Sequence, residues 1–567
     1  MKKTTNNRRH FIKQSLMATG GIILAPNFIS CDDKVDEYDY DPTNYTTENF
    51  TEGVGSFDPT SSSIIIWTRY NSSNSELIWE LATDSNFSTI IRNGKITTEV
   101  SRDNTLAIEI ENLVADQKLY YRFVNIEDNA ISVVGETITL PIDATSIKLA
   151  VCSCSNYQAG LFTVYDAMAN SDADIIVHLG DYFYEYEAGG YGSTSENAFL
   201  DRFHEPATEI LSLDDYRTRY KQYKSDSMLQ LAHQKKPFIC VWDDHEIAND
   251  TYKEGAENHD EATEGDFETR KQNALQAYSE FLPFTRTVES ENSIIYRTIN
   301  IGNLVNLIML DTRLIGRDKQ LELTDYFTVT GSFDATAFTA ALSDTSRSIL
   351  GTTQRDWLVS ELNTNTAKWQ VLGQQVLMGQ MYIPAELLLA FGSEGFSTTL
   401  TELVVIKTRI QANDPTLTTE EIARVLTAIP YNLDAWDGYP VDREIIYNTL
   451  ANAGKKIVTL AGDTHNAWNN TLYASDGTEV GIELATSSVS SPGFETYLGE
   501  NTSAEIIAGF ELALVTLVDN LNYFDASKRG YMMATFKTSE VTSEWIFVDT
   551  ILSAQYSASI EHTITYS

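Results

Sequence analysis

The chain is poor in the residues that small or unfolded proteins depend on. It holds only 4 cysteines and 12 prolines in 567 residues, which excludes a disulfide framework and a proline-rich disordered chain. Basic residues are half as numerous as acidic ones, and a net charge of −40 argues against stable nucleic-acid binding and tight contact with an anionic membrane. Hydrophobic residues make up 42% of the chain, which is enough for a large core. A chain of 567 residues with this composition is expected to form two domains.

Residues 1–31 have the features of a signal peptide. They carry five basic residues and no acid, and an apolar stretch over 16–29 is too short and too interrupted by glycine and proline to form a membrane helix. The segment 8–13, RRHFIK, resembles the twin-arginine signal, which predicts export by the twin-arginine machinery.

Cys31 follows Phe28-Ile29-Ser30 and precedes two aspartates, which resembles a lipoprotein cleavage site. The two alternatives are a lipid anchor on Cys31 and an ordinary cleaved signal with an incidental cysteine. Both predict an exported protein in the periplasm or on the outer surface. Residues 32–48 are polar and are expected to form a solvated linker.

Hydrophobic patterning divides the remaining chain into two parts. Over residues 49–142, short β-branched runs alternate with polar turns, which predicts a small all-β, fibronectin-like sandwich domain. Over residues 146–555, strand-like apolar runs alternate with helical ones, which predicts a layered α/β domain. A helical insertion is expected over 400–429, where Thr418 and Glu421 have the spacing of a capping box.

Five strand-like runs of the second part end in an unusual polar cluster. The clusters are Cys152-Ser153-Cys154 after run 147–151, Gly180-Asp181-Tyr182-Phe183-Tyr184-Glu185 after 175–179, Asp243-Asp244-His245-Glu246 after 238–242, Asp311-Thr312-Arg313 after 305–310, and Gly462-Asp463-Thr464-His465 after 457–460. Each motif alone is commonly structural, as an acidic turn, a core cysteine or a tight turn. Because ligands of open α/β sheets bind at the carboxyl ends of strands, we expect the five clusters to meet in one crevice.

Carboxylate, imidazole, thiolate and phenolate groups together suit hard or trivalent cations better than a structural zinc. Two metal ions about 3.5 to 4 Å apart can clamp a phosphate ester and generate a metal-bound hydroxide near neutral pH. Asp181 is suited to bridge the ions, His245 to protonate the leaving alkoxide, and Arg313 to offset charge on the phosphate oxygens. The leading hypothesis is therefore a metal-dependent phosphoesterase acting on small phosphate esters.

The same clusters, in the same order, resemble the PhoD-type alkaline phosphatases. The resemblance covers the chain from about residue 50 to about residue 550 and includes Trp67-Thr68-Arg69, the run 213–220, Lys528-Arg529-Gly530-Tyr531 and Glu544-Trp545. It implies a four-layer αββα metallophosphoesterase core, with two sheets flanked by helices, behind the amino-terminal sandwich. It also implies a site that holds Fe(III) and Ca(II).

The resemblance further implies roles for individual residues. Five of them match metal ligands of the family: Cys154, Asp181, Tyr184, Asp463 and His465. The Asp244-His245 pair matches a ligand followed by the catalytic acid, and Asn249 resembles an amide ligand or a phosphate contact. Which of Asp244 and Asn249 binds metal stays open.

The sequence leaves three functional alternatives open. The enzyme could prefer monoesters or diesters, or act as a phospholipase D-like diesterase on lipid head groups. A third alternative is a non-catalytic surface-binding lipoprotein whose metal site is structural. A disulfide between Cys152 and Cys154 is disfavoured, because bridging residues two apart strains the loop.

Overall fold

A computed structural model describes residues 35–285, 294–328, 333–498 and 502–567. The predicted signal peptide and Cys31 lie outside the described residues. Within the described ranges, no helix is both long enough and apolar enough to cross a membrane.

The strands of the described residues belong to three larger sheets and one two-stranded ribbon. In chain order they are β1 Val54–Phe57, β2 Ile64–Arg69, β3 Glu76–Ala82, β4 Ile90–Thr97, β5 Thr105–Ile110, β6 Lys118–Asn125, β7 Ala130–Ile131, β8 Gly135–Ile138, β9 Ser146–Cys152, β10 Ile175–His178, β11 Phe238–Cys240, β12 Arg297–Ile301, β13 Val305–Met309, β14 Trp369–Gly373, β15 Tyr382–Pro384, β16 Ala428–Pro430, β17 Ile457–Ala461, β18 Ala467–Tyr473, β19 Glu479–Ala485, β20 Leu521–Asp525, β21 Arg529–Lys537, β22 Val541–Val548 and β23 Ala558–Tyr566.

The helices lie mainly in the connections between parallel strands. The α-helices of the described residues are α1 Thr163–Ala169, α2 Leu213–Lys224, α3 Ser227–Lys235, α4 Glu261–Glu264, α5 Phe267–Phe281, α6 Ala335–Leu342, α7 Gly351–Thr364, α8 Ala385–Ala390, α9 Phe396–Gln411, α10 Thr419–Leu426, α11 Pro440–Ala453, α12 Glu495–Leu498 and α13 Ala504–Leu517.

Two mixed sheets form the centre of the α/β part. The nine-stranded sheet has the order β23-β22-β21-β9-β10-β11-β1-β2-β5, and the seven-stranded sheet has the order β12-β13-β14-β17-β19-β18-β20. In the first sheet β9, β10 and β11 are parallel, and in the second β13, β14, β17 and β19 are parallel. Strands β10, β13 and β17 are buried along their whole length, which explains their mostly apolar sequences.

The two sheets pack against each other and each carries helices on its outer face. Along β13, Leu307 and Met309 lie in the core shared with the first sheet, whereas Ile308 and Leu310 lie in a second core with helices that include α7 and α11. This division follows from the alternation of side chains along a strand. The predicted four-layer αββα arrangement is therefore confirmed.

The amino-terminal module shares a sheet with the α/β part. Strands β3, β4, β6, β7 and β8 form a separate five-stranded sheet, but β1, β2 and β5 extend the nine-stranded sheet beyond β11. Phe57 of β1 pairs in parallel with Phe238 of β11. Next to this junction, buried Asp58 forms an ion pair with buried Arg297 at 2.7 Å. Backbone pairing and a buried ion pair thus fix the module to the sheet that supports the polar clusters.

The predicted helical insertion is present as α9 and α10, with α9 beginning at Phe396, four residues before the predicted start. The predicted capping box is also confirmed. The Glu421 backbone N–H donates to Thr418 Oγ1 at 3.1 Å, and the Thr418 N–H donates to the Glu421 carboxylate at 2.8 Å. Two orphan N–H groups of α10 are satisfied in this way.

Candidate metal centre and active site

The five polar clusters lie together at the carboxyl ends of β9, β10, β11, β13 and β17. The Cys154 N–H, after β9, donates to the Gly180 carbonyl after β10 at 3.1 Å. The Arg313 guanidinium, after β13, contacts the Asp463 carboxylate after β17 at 3.1 Å and, in the other sheet, the Asp243 carboxylate after β11 at 2.5 Å. Clusters from both sheets therefore share one crevice, where the parallel strands of the two sheets end.

Donor atoms in this crevice form three overlapping groups. The groups are Cys154 with Asp181 and His465, Asp181 with Asp244 and His245, and Asp243 with Asp244 and Asp463. Within each group the potential ligand atoms lie within 4.8 Å of one another. Because Asp181 and Asp244 each belong to two groups, each lies between neighbouring sets of donors.

Four of the predicted ligands have a left-handed backbone. The φ angles are 63° at Cys154, 55° at Asp181, 64° at Asp463 and 63° at His465. Such a conformation costs about 1 to 3 kcal/mol at a non-glycine residue and is characteristic of functional sites. The turns after β9, β10 and β17 thus accept strain and bring these four side chains into one crevice.

The crevice contains more buried carboxylates than its cationic side chains can neutralise. Asp181 Oδ1 and Asp243 Oδ2 are buried without a hydrogen-bond partner. Burial raises the pKa of Asp181 and of Asp463 well above the usual range, and neighbouring carboxylates, Asp243 among them, raise both further. Buried carboxylates normally require paired charges or metal ions. The acidic donors therefore fit cations.

Sulfur and phenol donors lie on one side of the crevice. The Tyr184 hydroxyl donates to Asp181 Oδ2 at 3.0 Å and lies 2.9 Å from His465 Nε2. Burial raises the pKa of the Tyr184 phenol and of the Cys154 thiol, and the charge of Asp181 adds to both shifts. A metal ion deprotonates a coordinating thiol despite such a shift. This donor set suits a transition metal.

His245 is held by the carboxylate of Glu185. The distance between His245 Nδ1 and Glu185 Oε2 is 2.6 Å, and the imidazole ring centre lies 4.2 Å from that of Tyr184. Burial lowers the pKa of His245, but the charges of Asp244, Glu185 and Asp181 outweigh this effect and raise the pKa well above its usual value. With Nδ1 bonded to Glu185, Nε2 is the nitrogen that remains for proton transfer.

Arg313 is fully buried among carboxylates. Its Nε contacts Asp243 at 2.5 Å, and its two terminal nitrogens contact Asp434 at 2.8 Å and Asp463 at 3.1 Å. All three guanidinium nitrogens thus have an acidic partner. This geometry favours a role in positioning Asp243 and Asp463 over the predicted contact with phosphate oxygens.

Asn249 lies at the edge of the crevice. Its backbone N–H donates to Glu185 at 2.8 Å, and its side-chain amide donates to Glu257 at 3.3 Å. Asp244, in contrast, belongs to two of the three donor groups. Of the two residues left open by the sequence, Asp244 is the better placed to bind metal.

Several residues that organise the crevice were not among the predicted site residues. Both oxygens of buried Glu246 accept backbone N–H groups, from Asp181 at 3.1 Å, Asp243 at 2.8 Å and Tyr182 at 2.7 Å. Glu246 thereby joins the turns after β10 and β11. Glu246 ends the polar cluster after β11, so its position in the sequence pointed to the site. Its role could not be predicted, because its hydrogen-bond partners are backbone N–H groups, which no sequence pattern marks.

A loop after β19 completes the crevice. Ser491 Oγ donates to the Tyr184 hydroxyl at 2.7 Å, and the Pro492 carbonyl accepts a hydrogen bond from His465 Nδ1 at 2.7 Å. The second contact leaves His465 Nε2 as the ring nitrogen that faces Tyr184 and Asp181. Orientation of a ligand imidazole by a carbonyl on its other nitrogen is common in metal sites.

The chain is similar to known phosphatases. A family model described as "PhoD-like phosphatase" matches residues 149–545, and its amino-terminal domain model matches residues 37–141. Alkaline phosphatase D of Bacillus subtilis (strain 168) is 31% identical over 447 residues, which cover 76% of this chain and 67% of that protein.

Solved structures show the same relationship. The structure of PhoD superposes with a TM-score of 0.73 at 27% identity and covers 92% of this chain and 91% of that one. Purple acid phosphatase PPD1 from yellow lupin (Lupinus luteus) has a TM-score of 0.51 at 11% identity, covering 90% and 73% of the two chains, which shows a shared fold alone. The chain therefore belongs to the PhoD-like phosphatase family, whose members hydrolyse phosphate esters.

Proposed function

We propose that this chain is an exported, metal-dependent phosphoesterase of the alkaline phosphatase D type that releases phosphate from monoesters, diesters or both. The observation that carries the proposal is the set of three overlapping donor groups in one strand-end crevice. Family membership makes the non-catalytic lipoprotein the weaker alternative, because it places the chain among phosphate ester hydrolases.

The donor chemistry supports two different metals. Cys154, Tyr184 and His465 offer sulfur, phenolate and imidazole ligands suited to Fe(III), and Asp244 and Asp463 offer oxygen ligands suited to Ca(II). Asp181 lies in the group of each side and would bridge them. Two bound ions would polarise the phosphate and lower the pKa of a coordinated water.

The protein side chains supply the proton and the alignment. His245 gives a proton to the oxygen of the leaving alcohol, and Glu185 fixes the imidazole so that Nε2 carries that proton. Arg313 keeps Asp243, Asp434 and Asp463 in place by its three ion pairs. Glu246 fixes the backbone of the turn that carries Asp181.

The proposed location follows from the amino-terminal sequence. The twin-arginine pattern over 8–13 supports export of a folded, metal-loaded protein, and Cys31 supports a lipid anchor. We propose the periplasm or the outer surface, where soluble phosphate esters are the substrates and the acidic surface limits binding to nucleic acids.

The proposal is tested with the protein lacking residues 1–31. We expect it to hydrolyse a chromogenic phosphate monoester, its diester or both, to lose this activity to a chelator, and to regain it when calcium is restored. The ratio of the two rates defines the preferred ester. A folded, metal-loaded protein that turns over neither ester would overturn the proposal.

A second prediction concerns Tyr184 as an iron ligand. The purified protein should contain iron and show visible phenolate-to-iron absorption, and Tyr184→Phe should abolish this band because it removes the phenolate oxygen. Tyr191→Phe is the matched control, because the Tyr191 hydroxyl lies 3.2 Å from His465 Nδ1, the ring nitrogen that does not face Tyr184 and Asp181. A band that survives in Tyr184→Phe at equal iron content would contradict the assignment.

A further inference from the structure

An apolar cavity of about 220 Å³ lies beside the crevice. Residues of α8, α9, β18 and α13, and of the segment that contains α12, form its walls. None of the predicted metal or catalytic residues lines it. Aromatic rings provide much of the wall, among them Phe391, Phe396, Trp468, Phe494 and Phe510.

The rings of this cavity support one another. The Phe494 ring centre lies 5.0 Å from that of Phe510, 5.6 Å from that of Phe391 and 5.9 Å from that of Tyr431. Edge and tilted contacts at these distances are favourable for aromatic pairs. The cavity is therefore a preformed apolar space, and apolar cavities of this kind bind apolar ligands.

One end of the cavity adjoins the loop that carries two predicted metal ligands. The indole N–H of Trp468 donates to Thr464 Oγ1 at 2.7 Å, between Asp463 and His465 in the sequence. The Tyr431 ring centre lies 6.4 Å from that of Trp468. On the same side, the carbonyl of Pro492, two residues before Phe494 of the cavity wall, accepts a hydrogen bond from His465 Nδ1 at 2.7 Å. Tyr497, 68% exposed, also lines the cavity, where it meets solvent.

We infer that this cavity binds the apolar group of the substrate, and that the enzyme acts on phosphate esters of an aryl or short alkyl alcohol. This inference rests on the proposed function. The ester group of a phosphate held at the crevice would enter the cavity at the end where Trp468 bonds to Thr464. An apolar cavity of about 150 Å³ holds one benzene molecule, so this one holds a single ring or a short chain. The two long chains of a membrane phospholipid exceed it.

The test is a series of n-alkyl phosphates from methyl to octyl, with the corresponding methyl n-alkyl diesters, assayed with the metal-loaded protein. The leaving-group pKa is nearly constant along the series, so rate differences report binding of the chain. We expect kcat/KM to rise by about 3- to 4-fold per methylene until the cavity is full, and then to level off. Phenyl phosphate should fall among the preferred substrates.

A matched pair of variants locates the effect. Leu388 lines the cavity, whereas the next residue of α8, Leu389, does not line it and is 63% exposed. Leu388→Trp should fill part of the space and flatten the dependence on chain length, while Leu389→Trp should keep it. Melting curves for both variants show that each is folded.

The outcomes separate the two proposals. No turnover of any ester would overturn the proposed function itself. Hydrolysis at one rate for all chain lengths, or equal chain-length dependence in both variants, would overturn the cavity assignment and leave the phosphoesterase standing. Rates that continue to rise for long-chain phospholipids would overturn it in favour of the phospholipase D-like alternative. In addition, n-octanol should compete with octyl phosphate by occupying the same space.

Discussion

His245→Ala lowers kcat for an alkyl phosphate by about 10²- to 10⁴-fold, which is the range of a lost general acid. An alkoxide is a poor leaving group, and His245, held by Glu185 at 2.6 Å, is the residue assigned to protonate it. 4-Nitrophenolate leaves without a proton, so the same variant should lose much less activity with 4-nitrophenyl phosphate. The difference between the two substrates is the signature of an acid and would not arise from a general loss of structure.

A second histidine–glutamate pair provides the control for this prediction. His259 Nδ1 lies 3.1 Å from Glu264 in the segment before α5, and His259 belongs to none of the donor groups. His259→Ala should therefore leave both substrates unaffected. Glu185→Gln should weaken the alkyl phosphate reaction less than His245→Ala, since the imidazole remains but loses its orienting charge. An equal fall with both substrates in His245→Ala would contradict the acid role.

The strands that carry the site could be predicted because they are buried on both faces. The runs before Cys152, Gly180, Asp243, Asp311 and Gly462 are mostly apolar, and each ends abruptly in polar residues. In a parallel sheet, such ends meet on one edge. The pairing of β1, in the amino-terminal module, with β11, in the α/β part, had no comparable pattern in the sequence. Phe57 meets Phe238 across a long sequence separation, and local periodicity does not specify such partners.

The structure brings predicted site residues together where chemistry and local sequence coincide. Cys154, Asp181 and His465 stand directly after strands, and the structure places their donor atoms in one group. Asp434 has no motif and precedes a helix, yet it contacts Arg313 at 2.8 Å from a distant part of the chain. Ser491 reaches Tyr184 in the same way. Contacts of this kind arise from tertiary packing, and the residues that make them have no characteristic spacing in the sequence.

Asp181→Asn is expected to have the largest effect on this protein. Asp181 belongs to two donor groups, so the amide weakens the ligand set of both proposed metals at once. Loss of a residue that hydrogen-bonds to a metal ligand typically lowers metal affinity by about 10- to 100-fold. Loss of a ligand that both metals share should lower it further. Metal content after dialysis and turnover of phosphate esters should therefore fall together. Asp214→Asn, at a side chain that is 94% exposed, should change neither.

The same substitution should act in the opposite direction on the metal-free protein. Asp181 Oδ1 is buried without a hydrogen-bond partner, close to Asp244 and Asp243, and burial raises its pKa. Without metal this carboxylate destabilises the fold, so the neutral amide should raise the melting temperature of the chelated protein. With metal restored, the parent should melt at the higher temperature, because only its site binds the ions tightly. A carboxylate needed only for folding would lower the melting temperature in both states, whereas a metal ligand reverses the order.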